Sequence, residues 1–197
     1  MKSLSLTKPH LIIMVGIPGS GKSFFAEHFA ETFKAPIVSL DKLSKELFQN
    51  SSSDRDENKS ISNVAIYVLG EILKTKKTVI YEGQTNLRSN RIEISKIARN
   101  AGYKPLFIWV QTELLEAQKR ATKSGGEKPA LSVDEFDAKV KQFTPPHKTE
   151  KAIVISGKHT YASQLKIVLK HLIQPQANNN ERSSLTRAPK NRNFLIR

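Results

Sequence analysis

Residues 16 to 23 read Gly-Ile-Pro-Gly-Ser-Gly-Lys-Ser, which sets three glycines, a lysine and a hydroxyl in the spacing GxxxxGK[ST]. Residue types in this order suit the holding of a row of phosphates. Gly16, Gly19 and Gly21 let the backbone turn through positive φ and bring its N–H groups, that of Ser20 among them, against phosphate oxygens. Lys22 sets a cation at the β- and γ-phosphates, and the Ser23 hydroxyl is a ligand for Mg²⁺. A helix starting here points the positive end of its dipole at the same phosphates. The plainer reading is a glycine-rich turn that only caps a helix.

Two acids stand where such a loop needs them. Glu82 follows the apolar run 78–81 and, beyond the end of a neighbouring strand, can hold Mg²⁺ directly, through water, or face the substrate. Asp41 follows the run 36–39 and is placed to take the proton of an acceptor hydroxyl, or to cap a helix over Lys42 to Phe48, and the two roles are compatible. A third group lies at the end of the segment Gln111 to Thr122, where Lys119, Arg120 and Lys123 precede Ser124-Gly125-Gly126. On a hinged helix these cations can swing over a phosphoryl group in transfer; on a fixed one they only complement the helix C-terminus. The five histidines have no metal-ligand spacing.

The elements that must carry these groups alternate. Leu11 to Val15, Thr78 to Tyr81, Leu106 to Val110 and Ala152 to Ile155 are short apolar runs of buried-strand type, with Pro36 to Ser39 a weaker fifth. Between them lie helical stripes, Ile61 to Leu73, Ile94 to Ala101 and Leu165 to Leu172, while Gln49 to Lys59 reads as a polar loop. The pattern predicts an α/β domain with about five mostly parallel strands sandwiched by helices, plus a small helical lid.

The chain has 197 residues, no cysteine and a formal net charge of +14. Disulfides, thiolate metal sites and a cysteine nucleophile are excluded. The run Leu11 to Val15 is too short to cross a bilayer, so a cytoplasmic protein without membrane contact is expected. The charge calls for an anionic partner. Part of it lies in the last 24 residues, where Arg182, Arg187, Lys190, Arg192 and Arg197 stand against Glu181 in a polar, apolar-poor segment. The division expected is a catalytic domain over 1–173 and a basic, disordered tail over 174–197.

The stretches VGIPGSGKS, VSLDKL, VIYEGQTNLRSNR, ARNAGY and WVQTELLEAQKRATK, in this order, resemble the polynucleotide-kinase-like group of P-loop phosphotransferases across about residues 10 to 156. The resemblance implies a P-loop NTPase fold, ATP and Mg²⁺, and a kinase that phosphorylates a nucleic-acid 5′-hydroxyl. It implies Lys22, Asp41 and Arg120 in catalysis, with Asp41 as the base, and Arg120 and Lys123 of Arg120-Ala-Thr-Lys123 over the nucleotide. Asp41, Lys45, Asn86, Arg88 and Arg91 would face the acceptor, and Ser23 and Glu82 the metal. The chain departs from the group in having Glu82 for an aspartate, one extra residue before Thr85-Asn86-Leu87, and Ser44 where a basic clamp stands. Glu82-Gly83, Thr85, Arg88 and Ala101-Gly102-Tyr103 are also similar to zeta-toxin-like kinases of nucleotide sugars, which makes a small-molecule kinase the alternative. A further alternative is a switch protein that binds or hydrolyses ATP without an acceptor.

Overall fold

The computed structural model describes residues 8–47, 55–123 and 130–173. The five apolar runs form the strands β1 His10–Val15, β2 Ile37–Ser39, β3 Val79–Glu82, β4 Lys104–Gln111 and β5 Ile153–Ser156. They pair in the order β2-β3-β1-β4-β5, every pair parallel, so the strand that ends in the glycine loop is central.

Period-two alternation splits β1 between two cores. Leu11, Ile13 and Val15 pack on one face with α3 Arg55–Leu73 and α4 Arg88–Asn100. Ile12 and Met14 pack on the other with α1 Lys22–Phe33 and α7 Tyr161–Ile173. A strand apolar on both sides is what a sheet covered twice requires. Helix α3 contributes Ile61, Ala65, Leu69 and Leu73, one residue per turn on one buried line.

The chain leaving β1 turns into α1 on one face, whereas the chain leaving β3 turns into α4 on the other. Adjacent strands whose connections part in this way open a crevice at their carboxyl ends. Ser23, Glu82 and the start of α2 Leu40–Leu47 lie there.

Three local outcomes differ from the sequence reading. The expected loop 49–59 is helical from Arg55 onward, with Glu57 falling in the first turn of α3, where an acid favours a helix start. A helix not expected from the sequence, α6 Val133–Lys141, follows α5 Leu114–Thr122; its capping box joins Ser132 and Glu135, and Phe136 is wholly buried. Helix α2 begins at Leu40, and the Lys42 N–H donates to the Ser39 hydroxyl at 3.5 Å, so Asp41 lies inside the first turn and is not the cap. The tail 174–197 and the hinge Ser124-Gly125-Gly126 lie outside the described residues.

Candidate nucleotide and acceptor site

Gly16, Gly19 and Gly21 have φ of 149°, 72° and 101°, the conformations their positions in the loop were expected to need. The loop is also walled in from outside. A Cβ on Gly19 would lie 2.0 Å from the Ala117 carbonyl oxygen of α5, and one on Gly157, just after β5, would lie 1.9 Å from the Ser20 carbonyl oxygen. Thr112 donates from its hydroxyl to that Ser20 oxygen at 2.9 Å, and the Gly157 N–H donates to the Gln111 carbonyl at 2.7 Å. Two distant pieces of chain, 111–117 and Gly157, therefore pin one turn of backbone. Lys158 extends the contact with an ion pair to Glu113 at 2.7 Å, which holds the exposed Glu113 carboxyl below its ordinary range.

Lys22 leads α1, and its ammonium donates to the Ile17 carbonyl at 2.8 Å, curling back over the loop. Ser23 donates to Glu82 Oε1 at 2.5 Å, and Glu82 is 5% exposed. Asp41 is exposed and lines, with Ser23, Glu82, Ser39 and Lys45, a cavity of about 20 Å³, little more than one water needs. Lys42 lines it too and pairs with Glu27 at 2.8 Å, tying α2 to α1. The structure thus gathers Ser23, Glu82, Asp41 and Lys45 in one place.

Other expected acceptor contacts are elsewhere. Arg91 is wholly buried, and no part of it reaches an acceptor. Its guanidinium grips Glu150 through Nε at 2.7 Å and Nη2 at 3.1 Å, and Nη1 donates to the carbonyls of Thr85 and Thr144, each at 2.9 Å. Burial works against the Glu150 charge, but Arg91 and the His147 N–H more than offset it and hold this carboxyl below its ordinary range. Asn86 serves this same cluster with its main-chain carbonyl, which accepts from Thr144 N–H at 2.9 Å. Arg88 lines a separate cleft between α4 and β4. Arg120 is bound to Glu116 at 2.9 Å and to the Gly157 carbonyl at 3.0 Å, beside the loop that pins Ser20, while Lys123 is exposed just past α5.

The groups present fit a nucleoside triphosphate with Mg²⁺. Mg²⁺ takes one or two protein oxygens and fills its octahedron with water and phosphates. The Ser23 hydroxyl and the Glu82 carboxylate supply two such oxygens. Inside the loop the Ser20 hydroxyl is wholly buried without a partner among the described residues. Such a group costs about 1–3 kcal/mol until an acceptor arrives.

A five-stranded parallel sheet with this loop after its central strand, an acid at the end of the adjacent strand and helices on both faces defines a P-loop NTPase fold. A family model described as an AAA domain matches residues 11–146, and the chain belongs to that family. Among curated proteins nothing matches the sequence. Solved structures similar to it include Kti12 of Chaetomium thermophilum in complex with ADP-AlF3, 16% identical with a TM-score of 0.64, over 84% of this chain and 100% of that one. The APS kinase of Mycobacterium tuberculosis, in complex with AMPPNP and APS, is 16% identical with a TM-score of 0.62, over 83% and 96%. A gluconokinase of Sinorhizobium meliloti is 18% identical with a TM-score of 0.60, over 83% and 91%.

Proposed function

We propose that the protein is an ATP- and Mg²⁺-dependent kinase that phosphorylates a hydroxyl on an anionic acceptor, in the first place the 5′-hydroxyl of a nucleic acid. The observation that carries the reading is the shared cavity of Asp41, Ser23 and Glu82 beside the phosphate loop. The Asp41 carboxylate takes the proton of the acceptor hydroxyl as its oxygen bonds to the γ-phosphorus. The bond from that phosphorus to the β,γ-bridging oxygen breaks, and ADP leaves with the electron pair. Lys22 releases the Ile17 carbonyl to meet the phosphates, and Arg120 and Lys123 close from α5 over the charge that develops. Ser23 and Glu82 would hold Mg²⁺, which would supply charge neutralisation at the transferring phosphoryl group.

The small volume beside Asp41 suits the end of a longer molecule, whose terminal hydroxyl enters while its body stays outside. Lys45 at the rim and the net charge of +14 favour an anionic body. A small-molecule acceptor is the second reading, because APS kinase and gluconokinase have the same fold. Labelled ATP offered with 5′-hydroxyl RNA, 5′-hydroxyl DNA and a panel of sugars and nucleotide sugars tests the choice. Transfer to oligonucleotides alone is the expected result, and transfer to a sugar alone overturns the acceptor.

A further inference from the structure

An open cleft lies away from the acceptor cavity. Strand β5 first pairs with β4 at Ile108, so residues 104–107 of β4 have no strand partner on that side among the described residues. Helix α4 borders this gap, and the resulting cleft has a volume of about 330 Å³. Four exposed cations stand around it: Arg88 and Arg99 from the two ends of α4, Lys104 from β4 and Lys151 from the turn before β5. None of the four is ion-paired with a described residue. The cleft's one carboxylate, Glu150, is paired with Arg91 and also feels the charge of Arg88. On the floor the Ser95 hydroxyl is buried without a partner among the described residues, and Ile92, 53% exposed, offers apolar surface beside Pro105.

We infer that this cleft binds a single strand of nucleic acid by its phosphates. Eleven residues separate Arg88 from Arg99, a helical rise of about 16 Å, long enough to face several successive phosphates of an extended single strand. Cations without ion-pair partners among the described residues along such a length suit a polyanion. An added peptide strand fits poorly. Pro105 has no N–H, and the Lys104 N–H is spent on the Pro9 carbonyl at 3.0 Å. The Arg88 end of α4 is on the same edge of the sheet as Glu82, so a strand lying along the helix leads its end toward Asp41. That direction rests on the proposed acceptor; the binding does not.

Anisotropy of a 3′-labelled RNA of about 12 nucleotides, titrated with the full chain without ATP over a salt series, tests the site. Each phosphate contact adds about 0.7 to the slope of log affinity against log salt. Arg99→Ala with Lys104→Ala should lower that slope by about 1.4 and weaken binding at least about tenfold. The same charge removed on the opposite face, Lys166→Ala with Lys170→Ala, should leave the slope as it is. Equal losses in both variants, no loss in either, no binding of the RNA by the unmodified chain, or equal competition by poly-glutamate overturns the inference. Because binding is read without phosphoryl transfer, a chain that binds through the cleft yet transfers nothing keeps this site and loses the proposed acceptor. Transfer to RNA with KM unmoved by Arg99→Ala and Lys104→Ala does the reverse.

Discussion

The Ser23 hydroxyl donates to the Glu82 carboxylate at 2.5 Å although 59 residues separate them. Ser23 lies beyond the carboxyl end of β1 and Glu82 is the last residue of the adjacent parallel strand β3, and the connections of these two strands leave to opposite faces of the sheet. In the proposed mechanism this contact marks where the triphosphate and its metal belong. It predicts that Glu82→Gln, which keeps the shape and removes the charge, weakens apparent Mg²⁺ affinity at least about tenfold. Titrating activity against Mg²⁺ at saturating ATP reads this, and an unchanged Mg²⁺ midpoint would take Glu82 out of the metal's coordination.

Pinning of the phosphate loop predicts effects from residues outside its motif. In Gly157→Ala the new Cβ falls 1.9 Å from the Ser20 carbonyl oxygen, so the loop must shift. Calorimetry should show ATP affinity reduced at least tenfold, about 1.4 kcal/mol. Thr112→Val removes one hydrogen bond to that oxygen and should cost about 0.5–1.5 kcal/mol. Unaltered ATP binding in Gly157→Ala would contradict the pinning.

Arg91 and Glu150 form a buried pair, so Arg91→Met leaves a carboxylate and several carbonyls without their donor. Denaturant unfolding should show a loss of about 3–5 kcal/mol. A loss below about 1 kcal/mol, the worth of an exposed pair, would show that the cluster does not hold the segments 85–86 and 144–150 together.

The same pair sets a pH dependence. Glu150 titrates in the folded protein below its ordinary value of 4.5, so the stability it contributes is complete above that value and is lost as pH falls through the lower, folded one. Glu150→Gln should therefore be less stable than the unmodified chain at neutral pH, and the gap should narrow below pH 4.5. A gap that stays constant or widens in acid contradicts the depressed carboxyl.

Strict spacing made the phosphate loop legible, and the order of short apolar runs made the five strands legible, because both are local properties of the chain. Glu82 and Asp41 followed from their places at strand ends. The contacts that support the loop were not visible, since Thr112 meets Ser20 across 92 residues and Gly157 approaches it only once β5 is docked. Arg91 shows the limit of motif spacing. An arginine one turn into a helix reads the same whether it faces a ligand or the interior, and here the Thr144-Pro145 segment and Glu150 turn it inward. Helix α6 was readable in principle, because Ser132 and Glu135 have capping-box spacing just before Phe136. The start of α3 was masked by a polar composition that suits a helix end as well as a loop.

Phosphoryl transfer itself tests the central claim most directly. Single-turnover transfer from γ-labelled ATP to a 5′-hydroxyl oligonucleotide should be readily measured for the unmodified chain and abolished by Lys22→Ala. Asp41→Asn should slow it by about 10²- to 10⁴-fold, the usual worth of a general base, with ATP affinity within about twofold. If ATP were instead hydrolysed at the same rate with or without any acceptor, and Asp41→Asn changed nothing, the protein would not be the kinase proposed.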